Sequence, residues 1–138
     1  MKLGAGILYT NGHKVLLLHR SAKVKSHSFT WAPTGGSIED GENFLQAAER
    51  ESKEEIGVLK GSKIAEFVND PFIMFIFKVD EPFKVQLNDE HTKSKWISLD
   101  KVIEYKLHPN FKKKWHKYLH AIEKNNHKFS EWLKRSKS

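Results

Sequence analysis

The sequence predicts one α/β domain, a mixed sheet with helices on its faces. Three observations lead there. The 138 residues suit a single domain that buries its own core without staples. Short apolar runs near the N-terminus and at 72–79 have the length of strands. Two other segments, 43–56 and 109–122, carry their apolar residues at helical spacing. Strand-like and helix-like segments share the chain with no linker and no internal repeat between them, as a layered α/β domain requires.

Each element has its own signal. Leu3–Thr10 and Lys14–Arg20 read as two antiparallel strands joined at Asn11-Gly12, a two-residue hairpin signal. Residues 21–30 are polar and irregular, hence a loop. Trp31–Gly36 is a short extended piece that Gly35-Gly36 should break, followed by a turn over Ser37–Gly41. The helix at 43–56 places Leu45, Ala48, Ser52 and Ile56 on one face, and Gly57 follows where a helix-ending glycine belongs. Residues 63–69 and 72–79 read as strands around an Asp70-Pro71 turn, the second buried on both faces. Lys95–Leu99 is another short strand, and Asp100 caps a short helix through Tyr105. Pro109-Asn110 opens a longer helix with Phe111, Trp115, Tyr118, Leu119 and Ile122 on its buried stripe. Phe129, Trp132 and Leu133 suggest a separate final short helix.

Composition removes several classes. With 38% apolar and 30% charged residues, the chain is neither collagen-like nor of low complexity. No apolar stretch approaches the ~20 residues that cross a bilayer, so no membrane is expected. The start, Met1–Gly6, runs into a strand pattern with no signal-peptide apolar region. There is no cysteine, hence no disulfide, no thiolate zinc site and no cysteine nucleophile. These features together suit a cytoplasmic protein. The net charge of +7 is uneven. Residues 109–138 hold nine Lys or Arg against two Glu, which accounts for all of it, while residues 1–108 balance fifteen against fifteen. A basic C-terminal helical segment at 109–138 therefore sits on a neutral body. A lysine-rich outer helix face is the plain reading; a basic rim for anionic nucleotides or an RNA 5′ end is the other.

The chemistry concentrates between Gly36 and Val58. Glu51, Glu54 and Glu55 stand at i, i+3 and i+4, on one face of the helix. Like charges at that spacing weaken a helix, and only Arg50 and Lys53 are near to offset them. A hard divalent cation suits such an all-oxygen cluster. The glycine pair just upstream lets backbone approach a cation or phosphate closely. Three carboxylates alone would more often be a solvated acidic face.

The spacing of the whole segment changes that weighing. Gly36, Glu42, Arg50-Glu51, Glu54-Glu55 and Gly57-Val58 resemble the Nudix box, G-x5-E-x7-R-E-U-x-E-E-x-G-U, where U is a bulky apolar residue. Eight fixed positions match across these residues; the departure is Ser52 at the first U. Trp31 and Pro33 ahead of the double glycine, and Glu90 six residues before Trp96, resemble further family features. The resemblance spans residues 3 to about 105.

The resemblance implies a single Nudix-type α/β/α sandwich over 1–138 and Mg²⁺-dependent hydrolysis of a diphosphate linkage, with Mn²⁺ as a possible substitute. It implies Glu51, Glu54 and Glu55 as metal carboxylates, with the Gly35 carbonyl and Glu90 as further ligands. Glu51 or Glu90 would handle the nucleophilic water. Arg50 would clamp acids of the loop and helix, and Glu42 would support them. The implied substrate is a small nucleotide or nucleoside diphosphate derivative. An RNA 5′-end pyrophosphohydrolase is the alternative within enzymes, and a non-catalytic nucleotide binder the alternative outside them. Such a binder would show a damaged box, and here every acid is present.

The remaining candidates are weaker. Arg20, at a strand end, is a candidate for a substrate phosphate against an ordinary exposed arginine. Asn110 resembles a base-reading asparagine of the family's triphosphate pyrophosphatases; a helix-capping role competes with it. Phe72, Phe75 and Phe77 read as core rather than as a base-stacking slot. The eight histidines show no metal spacing, and His116 and His120 lack a third ligand, so no zinc site is expected. His19 and His27 read as ordinary histidines.

Overall fold

A computed structural model describes residues 3–69 and 71–137. Its elements run β1 (Gly4–Thr10), β2 (Lys14–Arg20), β3 (Trp31–Ala32), β4 (Thr34–Ser37), α1 (Phe44–Ile56), β5 (Ser62–Asn69), β6 (Phe72–Lys78), β7 (His91–Ser98), a 3₁₀ turn (Leu99–Glu104) and α2 (Pro109–Lys137). Of the expected Asp70-Pro71 turn, Asp70 lies outside the described residues.

The sheet is mixed, as expected. β1 runs at its centre, parallel to β6 from Gly4↔Phe72 to Thr10↔Lys78, and β5 joins β6 antiparallel. On its other edge β1 divides its partners: Gly4–Ile7 pair with β4, and Thr10 pairs with Val15 of β2. β2 in turn pairs with β3 and β7. Proline 33 explains the division. It has no N–H to donate, so the extended segment breaks there into β3 on β2 and β4 on β1. The break falls at Pro33 and not at the double glycine. Gly35 and Gly36 instead pair in β4 with Gly6 and Ala5. A Cβ on Gly35 would meet the Phe72 ring at 2.8 Å, so glycine here permits close layering rather than a turn.

Two cores flank the sheet. Leu8, Leu17, Met74 and Ile76 face α2, packing on Phe111, Trp115, Tyr118 and Ile122. Ile7, Tyr9, Leu16, Leu18, Phe75 and Phe77 face α1, packing on Ala47, Ala48 and Ile56. Residues of β1 and β6 alternate between them, which is why β6 reads as an unbroken apolar run. α1 begins with a reciprocal cap between Asn43 and Gln46 and ends at Gly57 in the left-handed conformation, φ 80°.

Asp100 does not cap the 3₁₀ turn; it lies within its first turn, and Ser98 at the N-cap makes no side-chain capping bond. Two further elements differ from expectation. β7 starts at His91, four residues before the expected Lys95, because its register along β2 continues through polar residues. The C-terminal region is one helix of 29 residues, with no separate short helix after the first. Asn125 and Asn126 are poor helix formers, but Asn126 Nδ2 donates to the Gly12 carbonyl at 2.7 Å and ties the helix to the β1–β2 turn.

Candidate active site

The first turns of α1 and the segment before it are held by Arg50. Its Nε donates to Glu42 Oε2 at 2.7 Å and its Nη2 to the Ser37 carbonyl at 3.0 Å. Its Nη1 reaches Glu51 at 2.9 Å and Glu54 at 3.2 Å. Glu42 also accepts from the Glu39 backbone N–H, closing the turn. Arg50 thus fixes two of the three acids at once, and these partners raise its affinity for its proton, the Glu42 bond most.

Glu55, one turn on from Glu51, is buried. Its Oε1 accepts the Gly35 N–H at 2.7 Å, and its Oε2 lies 3.8 Å from His91 Nε2. Burial pushes its carboxyl well above the ordinary range; Gly35 partly opposes this, while Glu51 and Glu90 add to it. Burial likewise raises Glu51, with Arg50 opposing and Glu54 and Glu90 adding. His91, also buried, is pushed down to about 4 by desolvation and then by Arg20 and His19. A neutral imidazole therefore faces Glu55 and leaves the acids' repulsion standing. Nothing in sequence spacing singles out His91; the β2–β7 register alone brings it here.

Glu51 lies against Gly36. A Cβ at Gly36 would sit 2.6 Å from the Glu51 carboxylate, so glycine leaves room for that acid against the β4 backbone. Glu90 sits in the loop before β7, where its carbonyl accepts the Ser21 N–H at 2.8 Å and its carboxylate accepts from Asn88 at 3.3 Å. Its charge is felt at Glu51, Glu55 and Arg20. Glu54 remains the most solvent-open of the box acids, its side chain 54% exposed.

These acids suit a hard cation. The buried Glu55 and half-buried Glu51 carboxylates repel each other and Glu90 beside a glycine backbone, and oxygen donors of this kind match Mg²⁺ or Mn²⁺. Among the described residues, no three His, Asp or Glu side chains form a ready-made cage. Such ions commonly complete their shells with waters and substrate phosphates.

On the other side of Gly35 and Gly36 opens a cleft of about 490 Å³. Arg20, Phe72, His108, Asn110, Phe111 and Tyr118 are among its walls. Phe72 packs against the core, as expected, and also lines this cleft, whereas Phe75 and Phe77 are fully core. Arg20 Nη2 donates to the Ser26 carbonyl at 2.9 Å, while its buried Nε has no partner. Asn110 does not cap α2. The cap is His108, whose Nδ1 accepts the Asn110 N–H at 3.1 Å, leaving the Asn110 side chain at the cleft. His108 is another residue the sequence did not single out; its position before Pro109, a preferred first helical residue, was the available signal.

The NUDIX domain family matches residues 1–119. The chain belongs to the Nudix family. Its fold is similar to the Nudix hydrolase RenU from M. smegmatis, 26% identical with a TM-score of 0.70, over 85% of this chain and 83% of that one. It is also similar to a C. elegans Ap4A hydrolase, 25% identical with a TM-score of 0.67, over 86% and 95%. A bifunctional NMN adenylyltransferase/ADP ribose pyrophosphatase from Francisella tularensis, solved with AMP and a Mn ion, is 25% identical with a TM-score of 0.62. That similarity covers 75% of this chain and 35% of the larger one. No curated protein matches the sequence. The Nudix domain is here a pyrophosphohydrolase domain with its box acids intact. No helix among the described residues is long and apolar enough to cross a membrane.

Proposed function

We propose that the chain hydrolyses a diphosphate bridge in a nucleotide or nucleoside diphosphate derivative, using Mg²⁺ or Mn²⁺. One observation carries this reading: buried Glu55 and half-buried Glu51, mutually repelling, lie behind a glycine backbone whose other side lines an aromatic cleft. Glu51, Glu54, Glu55 and Glu90, with the Gly35 carbonyl, are the residues that would hold the cation. When bound, such an ion neutralises the diphosphate oxygens and acidifies a water.

The chain's own residues do the rest. Arg50 orients Glu51 and Glu54, and the Gly35 N–H orients Glu55. Glu51 or Glu90 accepts the proton of the attacking water. Arg20 supports a phosphate oxygen, and Asn110 with the cleft aromatics seats the nucleoside. Positioning and charge stabilisation then carry the reaction with no covalent intermediate.

The test is a panel of nucleotides and nucleoside diphosphate derivatives with Mg²⁺, with product analysis. Glu54→Gln, at an exposed position, should keep the fold and lower kcat by more than the ~10²-fold that loss of a supporting residue typically costs. Turnover equal to the parent's in that variant would overturn the metal role; no turnover of any substrate by the parent would favour a non-catalytic binder.

A further inference from the structure

The cleft is charged on one side only. Among its lining residues are Arg20, Lys113 and Lys114, and no Asp or Glu. The two lysines project from the first turns of α2. Neither has a carboxylate partner among the described residues. Lys114 is half-buried, and desolvation together with Lys113 and Lys117 loosens its hold on its proton. Two uncompensated lysines, Lys113 exposed and Lys114 half-buried, line the same cleft as Phe72, Phe111 and Tyr118 and suit a ligand that is aromatic and anionic at the same end. The acids that would meet the scissile diphosphate lie behind Gly35 and Gly36, away from these lysines.

We propose that the group seated in this cleft carries a phosphate in addition to the diphosphate that is cut, and that Lys113 and Lys114 recognise it. The inference rests on the diphosphate reading above and narrows its substrate class. The extra phosphate has two chemical sources, a longer polyphosphate chain or a phosphate on the ribose 2′ or 3′ oxygen. Both present an anionic phosphate to the two ammonium heads, singly charged within a polyphosphate chain and dianionic as a ribose monoester.

Two matched pairs distinguish the sources: a dinucleoside diphosphate against its tetraphosphate, and a nucleoside diphosphate sugar against its 2′-phosphorylated form. Each is measured for kcat and KM with Mg²⁺, and for displacement of a fluorescent ADP analogue in EDTA. The expected result is a KM about tenfold lower for the extra-phosphate member of at least one pair. Lys113→Ala/Lys114→Ala should erase that preference mainly through KM, and arginine at both positions should restore it. Lys112→Ala, adjacent but outside the cleft, should leave the preference intact. Equal KM values within both pairs, or a double variant that weakens all four ligands alike, overturns the inference. If nothing is hydrolysed, the diphosphate reading fails by itself. Displacement then decides separately: a tenfold advantage for extra-phosphate ligands that the double variant removes upholds the recognition, and its absence refutes it.

Discussion

Ser52 shows how one residue can break a family pattern and keep the fold. It stands where the Nudix box has a bulky apolar residue, and it is fully buried. Its Oγ donates to the Val58 carbonyl at 2.7 Å, so the Tyr9 hydroxyl, 2.6 Å away, donates to it. Ser52→Ala should destabilise the protein by about 1–3 kcal/mol in urea unfolding, because it strands a buried phenol and a carbonyl. Adding Tyr9→Phe should destabilise by less than the sum of the two single changes. His108 gives a second residue-scale test. Desolvation, then His27 and Arg20, push it down to about 4 from an ordinary 6.5. Its native state resists protonation, so its contribution is complete above pH 6.5 and is lost as pH falls towards 4. His108→Asn keeps a capping side chain and should flatten the fall in Tm across that window.

At the scale of elements, α2 and β4 depend on contacts that sequence patterns do not display. The last two turns of α2 carry Phe129 and Trp132 exposed and stacked, with ring centroids 6.0 Å apart. Past Asn125 the helix is tied to the body by the Asn126 bond to Gly12 and by Lys78 over the Phe129 ring. Asn126→Ala should lose about 1 kcal/mol and speed amide exchange over 127–137 more than over 111–122. In β4, Gly36→Ala should displace the Glu51 carboxylate, since the added methyl would sit within 2.6 Å of it. Its expected signature is a large loss of Mg²⁺-dependent turnover with a smaller change in Tm; an unchanged rate would show that Glu51 needs no such room. The 21–30 loop adds another local feature. His27 and Phe29 hold positive φ angles of 52° and 63°, uncommon for such side chains, where the His27 ring meets His108 at the cleft.

At the scale of the molecule, the acids of the candidate site lie in the neutral body and the net charge in the C-terminal segment. The body gathers Glu51, Glu55 and Glu90, whose repulsion destabilises the metal-free state as pH rises above the ordinary carboxylate range. The sign follows from Glu55: its raised folded value means the native state holds a proton that the unfolded chain has already released. A divalent cation competes with that proton, so the rise in Tm on adding Mg²⁺ should be larger at pH 8 than at pH 5.5, and EDTA should reverse it. A pH-independent rise would point to weak surface binding instead.

The sequence by itself determined the alternation of strands and helices, the boundaries of α1, and the acidic stripe with its Nudix spacing. These are local properties, carried by periodicity, caps and residue spacing within one element. Tertiary structure alone decided that Pro33 splits the strand between two partners and that β7 begins at His91. It also decided that His91 faces Glu55, that His108 rather than Asn110 caps α2, and that Phe72, packed against the core, also lines the cleft. Each of those depends on register between segments far apart in the chain. Such pairings are set by backbone hydrogen bonds and close packing, which residue order encodes only through the completed fold.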